Sequence, residues 1–124
     1  MSRSFRGARG NRLVASEMGA AGRPVLLLHG GGQTRHAWSR TARRLADAGW
    51  HAVALDQRGH GDSEWVDDGA YAFADFAADA AAVARQIAAE HGRSPVAVGA
   101  SLGGIASLLA LAEPDEPPFC GLIL

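Results

Sequence analysis

The sequence predicts an α/β fold: a mostly parallel sheet with flanking helices. Three observations predict it. Short unbroken apolar runs such as Val25-Leu26-Leu27-Leu28 have the length and composition of strands buried on both faces. Apolar stripes at helical spacing lie between those runs. A glycine stands where the first two stripes end, at Gly49 and Gly92. Strands alternating with helices imply parallel pairing through right-handed crossovers.

Each element follows from its own pattern. Residues 1–11 carry Arg3, Arg6 and Arg9 and no apolar stretch, which predicts a flexible basic tail. Residues 12–17 predict an early strand, and 24–29 the first fully buried one. Trp38, Ala42, Leu45 and Ala46 recur at helical spacing and predict a helix over about 35–48. A strand is expected at 51–55. Phe73, Phe76, Ala80, Val83 and Ile87 form a second helical stripe. The alanines of 77–89 favour helix there and allow close packing on a sheet. A strand at 95–100, a helix at 102–112 and a strand at 120–124 complete the series. No repeat or linker divides 12–124, which reads as one domain.

Composition fits a globular chain of 124 residues: 48% hydrophobic, 20% charged, net charge −1. That balance argues against nucleic-acid binding and against disorder. All the basic residues are arginine, so a Walker A loop is excluded. The single cysteine, Cys120, excludes an intrachain disulfide and is expected as a small buried hydrophobe. No apolar run reaches membrane-spanning length, and no secretory h-region opens the chain. A cytoplasmic protein with no membrane partner is the expectation.

Three segments carry chemistry. Gly99-Ala100-Ser101-Leu102-Gly103 has the G-x-S-x-G form of a nucleophile elbow, with a strand before it and a helix after it. The sharp turn forces the positions two before and two after the serine together, and both are glycine. The helix opening directs the Leu102 N–H toward the place where an oxyanion would form. Val25 to His29 leads into Gly30-Gly31-Gly32-Gln33, a glycine loop directly after a buried strand. Such a loop turns backbone N–H groups toward a ligand. Asp56-Gln57-Arg58-Gly59-His60-Gly61-Asp62-Ser63 follows the next strand as a tight polar loop.

In this order and spacing, the three segments resemble the α/β-hydrolase superfamily over about residues 12–124. The resemblance implies an oxyanion loop at His29-Gly30-Gly31-Gly32-Gln33, with Trp38 just beyond. It implies Ser101 as nucleophile and the N–H groups of Gly31 and Leu102 as the oxyanion hole, Gly32 being the alternative donor to Gly31. Gln33, Trp38 and Trp65 are candidate pocket residues. It implies a small-molecule acyl substrate: an ester, a lactone or a relative. Serine at the elbow, rather than aspartate, argues against epoxide hydrolysis and haloalkane dehalogenation. The family order of serine, acid, histidine is not met, because all five histidines precede Ser101. The expectation is therefore an α/β-hydrolase fold truncated at about its sixth strand. The resemblance then puts the catalytic acid and histidine beyond residue 124, missing from this chain, with a complementary chain carrying them as one source. The alternative is a catalytically incomplete fragment or interaction module.

Other residues read more plainly. His29, within the resemblance, is expected to fix the oxyanion loop rather than to act as a base. His60-Gly61-Asp62 offers two metal ligands without a third, so loop bracing is expected and no metal. Asp56 and Arg58 are expected to hold their loop through hydrogen bonds and charge. Arg40, Arg43 and Arg44 read as a solvated helix face. Gly30 to Arg35 does not complete G-x-G-x-x-G, so no dinucleotide or other cofactor is expected.

Overall fold

The computed structural model describes residues 1–19, 21–113 and 115–124. Its strands are β1 (Ser2–Arg6), β2 (Arg12–Met18), β3 (Arg23–Leu28), β4 (Trp50–Leu55), β5 (Val96–Gly99) and β6 (Gly121–Ile123). Its α-helices are α1 (Ser39–Asp47), α2 (Phe73–His91) and α3 (Leu102–Ala112). The strands form one six-stranded sheet in the order β1-β2-β4-β3-β5-β6. Pairing is parallel from β4 through β3 and β5 to β6, and antiparallel where β2 joins β1 and β4.

The apolar runs fold this way because each strand faces two layers. Leu26 and Leu28 of β3 point into a cluster with Val83, Ala84 and Ile87 of α2. Val25 and Leu27, one residue out of phase, point into a second cluster with Ala42 of α1. β4 divides likewise, with Val53 and Leu55 on the first face and Ala52 and Ala54 on the second. Gly49 and Gly92 adopt φ of 96° and 74° just beyond α1 and α2, the left-handed turn that ends a helix.

The structure departs from the sequence-based expectation at three places. Residues 1–11 were expected as a flexible basic tail, but Ser2–Arg6 form β1. Phe5 buries its ring in the main core, and Arg3 pairs with Glu17 on β2 and Glu90 on α2. Arg3, and Arg9 with Asp68, thus have acidic partners far away in sequence. The helix expected over 35–48 is split into a 3₁₀ turn (Arg35–Trp38) followed by α1. Its first turn is tight because Asp56 holds the Arg35 backbone N–H. Cys120 is exposed, not buried, because it precedes an edge strand.

One buried ion pair ties the sheet to α2. Arg58, fully buried after β4, reaches Asp79 of α2 with two parallel hydrogen bonds of 2.7 and 2.8 Å. Its remaining nitrogen donates to the Ala70 carbonyl, and Asp79 also accepts from the Ala8 N–H. The Asp79 hydrogen bonds, working against burial, raise the Arg58 pKa above its ordinary value. Breaking one partner of such a pair leaves an uncompensated buried charge. Asp79→Asn is therefore expected to lower stability by about 3–5 kcal/mol, measured by urea titration at pH 7.

Candidate active site

The site is built where the carboxyl ends of β3 and β5 meet the start of α3. Ser101 caps α3 with φ 53° and ψ −112°. It is the sole non-glycine residue at positive φ among the described residues. That backbone is strained, at about 1–3 kcal/mol. It arises because α3 starts with no intervening loop: β5 ends at Gly99 and α3 begins at Leu102.

The nearest atoms to the two elbow glycines are backbone. A Cβ at Gly99 would lie 2.6 Å from the Gly103 carbonyl carbon and the Gly104 nitrogen. A Cβ at Gly103 would overlap the Leu28 carbonyl. The Gly103 N–H donates to the His29 carbonyl at 3.1 Å, and the Ala100 N–H donates to the Leu28 carbonyl at 3.1 Å. The end of β3 and the elbow are thus locked together. Ser101 is exposed. Its side chain makes no hydrogen bond to a described residue.

The glycine loop stands beside the serine. A Cβ at Gly30 would sit 3.6 Å from the Ser101 Cβ, and one at Gly31 would sit 3.9 Å from Leu102. The Gln33 N–H donates to the Gly30 carbonyl at 3.1 Å, closing a four-residue turn. Gly32, with φ 78°, occupies the position where a type II turn needs positive φ. The Gly30 N–H donates to the Gln33 side-chain oxygen at 2.9 Å. The Gly32 N–H donates to His60 Nε2 at 3.0 Å. Among the described residues, the N–H groups of Gly31 and Leu102 have no hydrogen-bond partner.

His29 is fully buried beneath this turn. Its Nδ1–H donates to the Gly30 carbonyl at 2.8 Å, while Nε2 accepts from the Gln57 N–H at 3.1 Å. Those partners assign the tautomer. Burial lowers its pKa below the ordinary histidine value, and the His60 ring nearby adds to that. With both nitrogens occupied, His29 cannot take a proton from Ser101.

The polar loop after β4 carries a second buried charge. Asp56 accepts from the backbone N–H groups of Arg35 and Asp62, and pairs with the Arg35 guanidinium. Burial alone would raise its pKa. The two N–H groups and the guanidinium outweigh burial and hold it below the usual carboxylate range. Asp56 thus joins the start of the 3₁₀ turn, directly after the glycine loop, to its own loop. Asp56 and Arg58 do not pair with each other: each holds a separate segment.

Sequence reasoning missed Arg35. A signal existed: a cation at the start of an expected helix opposes the helix dipole and calls for an acidic partner. The structure brings Ser101, Leu102, Gly30 and Gly31 together. Gln33 braces the loop through its side chain. Trp38 is partly buried and packs against the second core cluster. Trp65 is 76% exposed beside Arg9 and Asp67, in a surface groove that none of the elbow residues lines.

A partly antiparallel six-stranded sheet, a strained serine between strand and helix and a glycine loop facing it define an α/β-hydrolase core. The chain belongs to that family: residues 20–124 match the family described as serine aminopeptidase, S33. It is 36% identical over 104 residues to an esterase of Mycobacterium tuberculosis, covering 83% of this chain and 33% of that one. It is 45% identical over 58 residues to a non-heme chloroperoxidase of Kitasatospora aureofaciens, covering 47% of this chain and 21% of that one. An epoxide hydrolase of Vigna radiata superposes with a TM-score of 0.84 at 25% identity, covering 98% of this chain and 36% of that one. The chain thus spans about a third of the length of the esterase it matches. Among the described residues, no helix is long and apolar enough to cross a membrane.

Two outcomes follow from the site's energetics. Ser101→Gly relieves the positive φ and is expected to raise stability by about 1 kcal/mol, measured by urea titration against Ser101→Ala, which does not. His29 has a lowered folded-state pKa. Its contribution to stability is therefore present above about 6.5, the unfolded value, and is lost as pH falls below it. Stability profiles from pH 7.5 to 5 should show this limb, and His29→Asn should flatten it by up to one proton's slope.

Proposed function

We propose that this chain carries the nucleophile and oxyanion hole of a serine hydrolase acting on an ester, lactone or related acyl substrate. The observation that carries the reading is the pairing of the strained Ser101 with two unclaimed backbone donors, Leu102 and Gly31. In this mechanism Ser101 Oγ attacks the acyl carbon as its proton passes to a base. The carbonyl oxygen becomes an oxyanion held by the Gly31 and Leu102 N–H groups. Gly32 is not the donor, since its N–H serves His60. The matched esterase supports the substrate class.

The base and its orienting acid come from outside residues 1–124 in this reading. His29 has both nitrogens occupied, and so does His60, whose Nδ1 faces the Arg58 carbonyl. A second reading makes this chain alone a catalytically incomplete module. It is favoured by apolar surface at Ile105, Leu108 and Leu109 on α3 and at Ile123 and Leu124 beside β6. Among the described residues, β6 pairs with β5 on one side only.

A fluorophosphonate probe separates the readings. In the first, it labels Ser101. Ser101→Ala abolishes labelling and ester turnover, while the circular dichroism spectrum is unchanged. Folded wild-type protein that still resists the probe when the residues supplying the base and acid are present assigns the second. Ester hydrolysis undiminished in Ser101→Ala would sink the serine mechanism.

A further inference from the structure

We propose that His60 is a positioning residue that selects the conformation of the Gly30–Gln33 turn and thereby leaves Gly31 as the loop's free donor beside Ser101. This rests on the oxyanion-hole reading above and deepens it.

A turn with two glycines at its centre can adopt type I or type II at little difference in energy. The two forms differ by rotation of the central peptide, here the one joining Gly31 to Gly32. That rotation exchanges the directions of the Gly31 carbonyl and the Gly32 N–H. A glycine loop beside a nucleophile therefore needs something outside itself to choose.

His60 provides it. Its Nε2 accepts from the Gly32 N–H at 3.0 Å, on the central peptide itself. Its Nδ1 lies 2.9 Å from the Arg58 carbonyl, an acceptor, so Nδ1 carries the proton and Nε2 the lone pair. The ring packs against His29 at 4.9 Å between centroids and against the edge of Phe76 at 6.1 Å. Its own backbone is held by a bond from the His60 N–H to the Gln57 carbonyl. His29 then secures the other end of the turn, through Gly30. With the Gly30, Gly32 and Gln33 N–H groups all assigned, Gly31 is what remains. Its place next to Leu102 puts the two free donors on adjoining segments.

The test uses the full chain labelled with 15N. In the wild type, long-range ring spectra should show the His60 tautomer with its proton on Nδ1. The Gly32 amide should exchange with solvent at least fivefold more slowly than the Gly31 amide. His60→Phe keeps the ring contacts and removes the acceptor, so Gly32 exchange should rise to the Gly31 rate. His60→Gln restores an acceptor near the position of Nε2 and should recover most of the protection. The Arg35 amide, bound to Asp56, reports general loosening and should not change. A His60 proton on Nε2, or a Gly32 amide as fast as Gly31 in the wild type, overturns the proposal. Both are read without any variant, so a poorly folding His60→Phe does not matter. Because exchange is read without substrate, these results stand apart from fluorophosphonate labelling, which tests the serine mechanism.

Discussion

The contact between the first turn of α3 and the carboxyl end of β3 governs the rest of the structure. Gly103 lies so close to the Leu28 carbonyl that no side chain fits, and its N–H takes the next carbonyl along, that of His29. This fixes the helix start against the neighbouring strand before any side chain is considered. The chain must then leave β5 and enter α3 within a residue or two. Ser101 accepts the positive φ because the alternatives would pull α3 off the sheet. Strain at the serine is thus a consequence of close packing between glycines, stabilised by the core on which α3 and α2 pack.

A layer of buried polar groups covers the same end of the sheet. Asp56, Arg58, Asp79, His29 and Ser63 are all nearly or fully inaccessible. Their roles divide cleanly. Arg58 with Asp79 joins the loop after β4 to α2, and Asp56 with Arg35 joins it to the segment after the glycine loop. Ser63 donates to the Asp56 carbonyl and accepts from the Val14 N–H, which returns the loop to β2. The histidines serve as brackets between backbone groups. The charges are instead paired off and kept one shell back.

Much of this was legible in the residues. Apolar runs of strand length located β3, β4 and β5, because strands buried on both faces leave no polar interruption. The elbow and glycine loop were legible because their backbone geometry admits few side chains. What could not be read depends on partners distant in sequence. Arg3 looks like part of a tail until Glu90, 87 positions away, comes to meet it. Arg35 looks like an ordinary helix-surface cation until Asp56 is seen beneath it. Trp38 and Trp65 were ambiguous for another reason: an aromatic next to a motif packs as readily in a core or on a surface as in a pocket. Cys120 departs from the usual burial of free cysteine because, among the described residues, the strand it precedes pairs on one side only.

The division of labour across this chain has a physical logic. Oxyanion donors are backbone groups, and their positions are set by turns, helix starts and glycines that a sheet of parallel strands can hold rigidly. Such donors need no titration and little reorganisation, so they can be complete within one folded unit. A general base is different. It must sit within hydrogen-bond reach of the serine and still change protonation state at each step. The histidines bracketing this loop are excluded from that task by the bonds that make them good brackets. On the proposed reading, the electrostatic part of the machinery is built into the fold of this chain. The proton-transfer part must arrive on a side chain from elsewhere and find an exposed serine already in place.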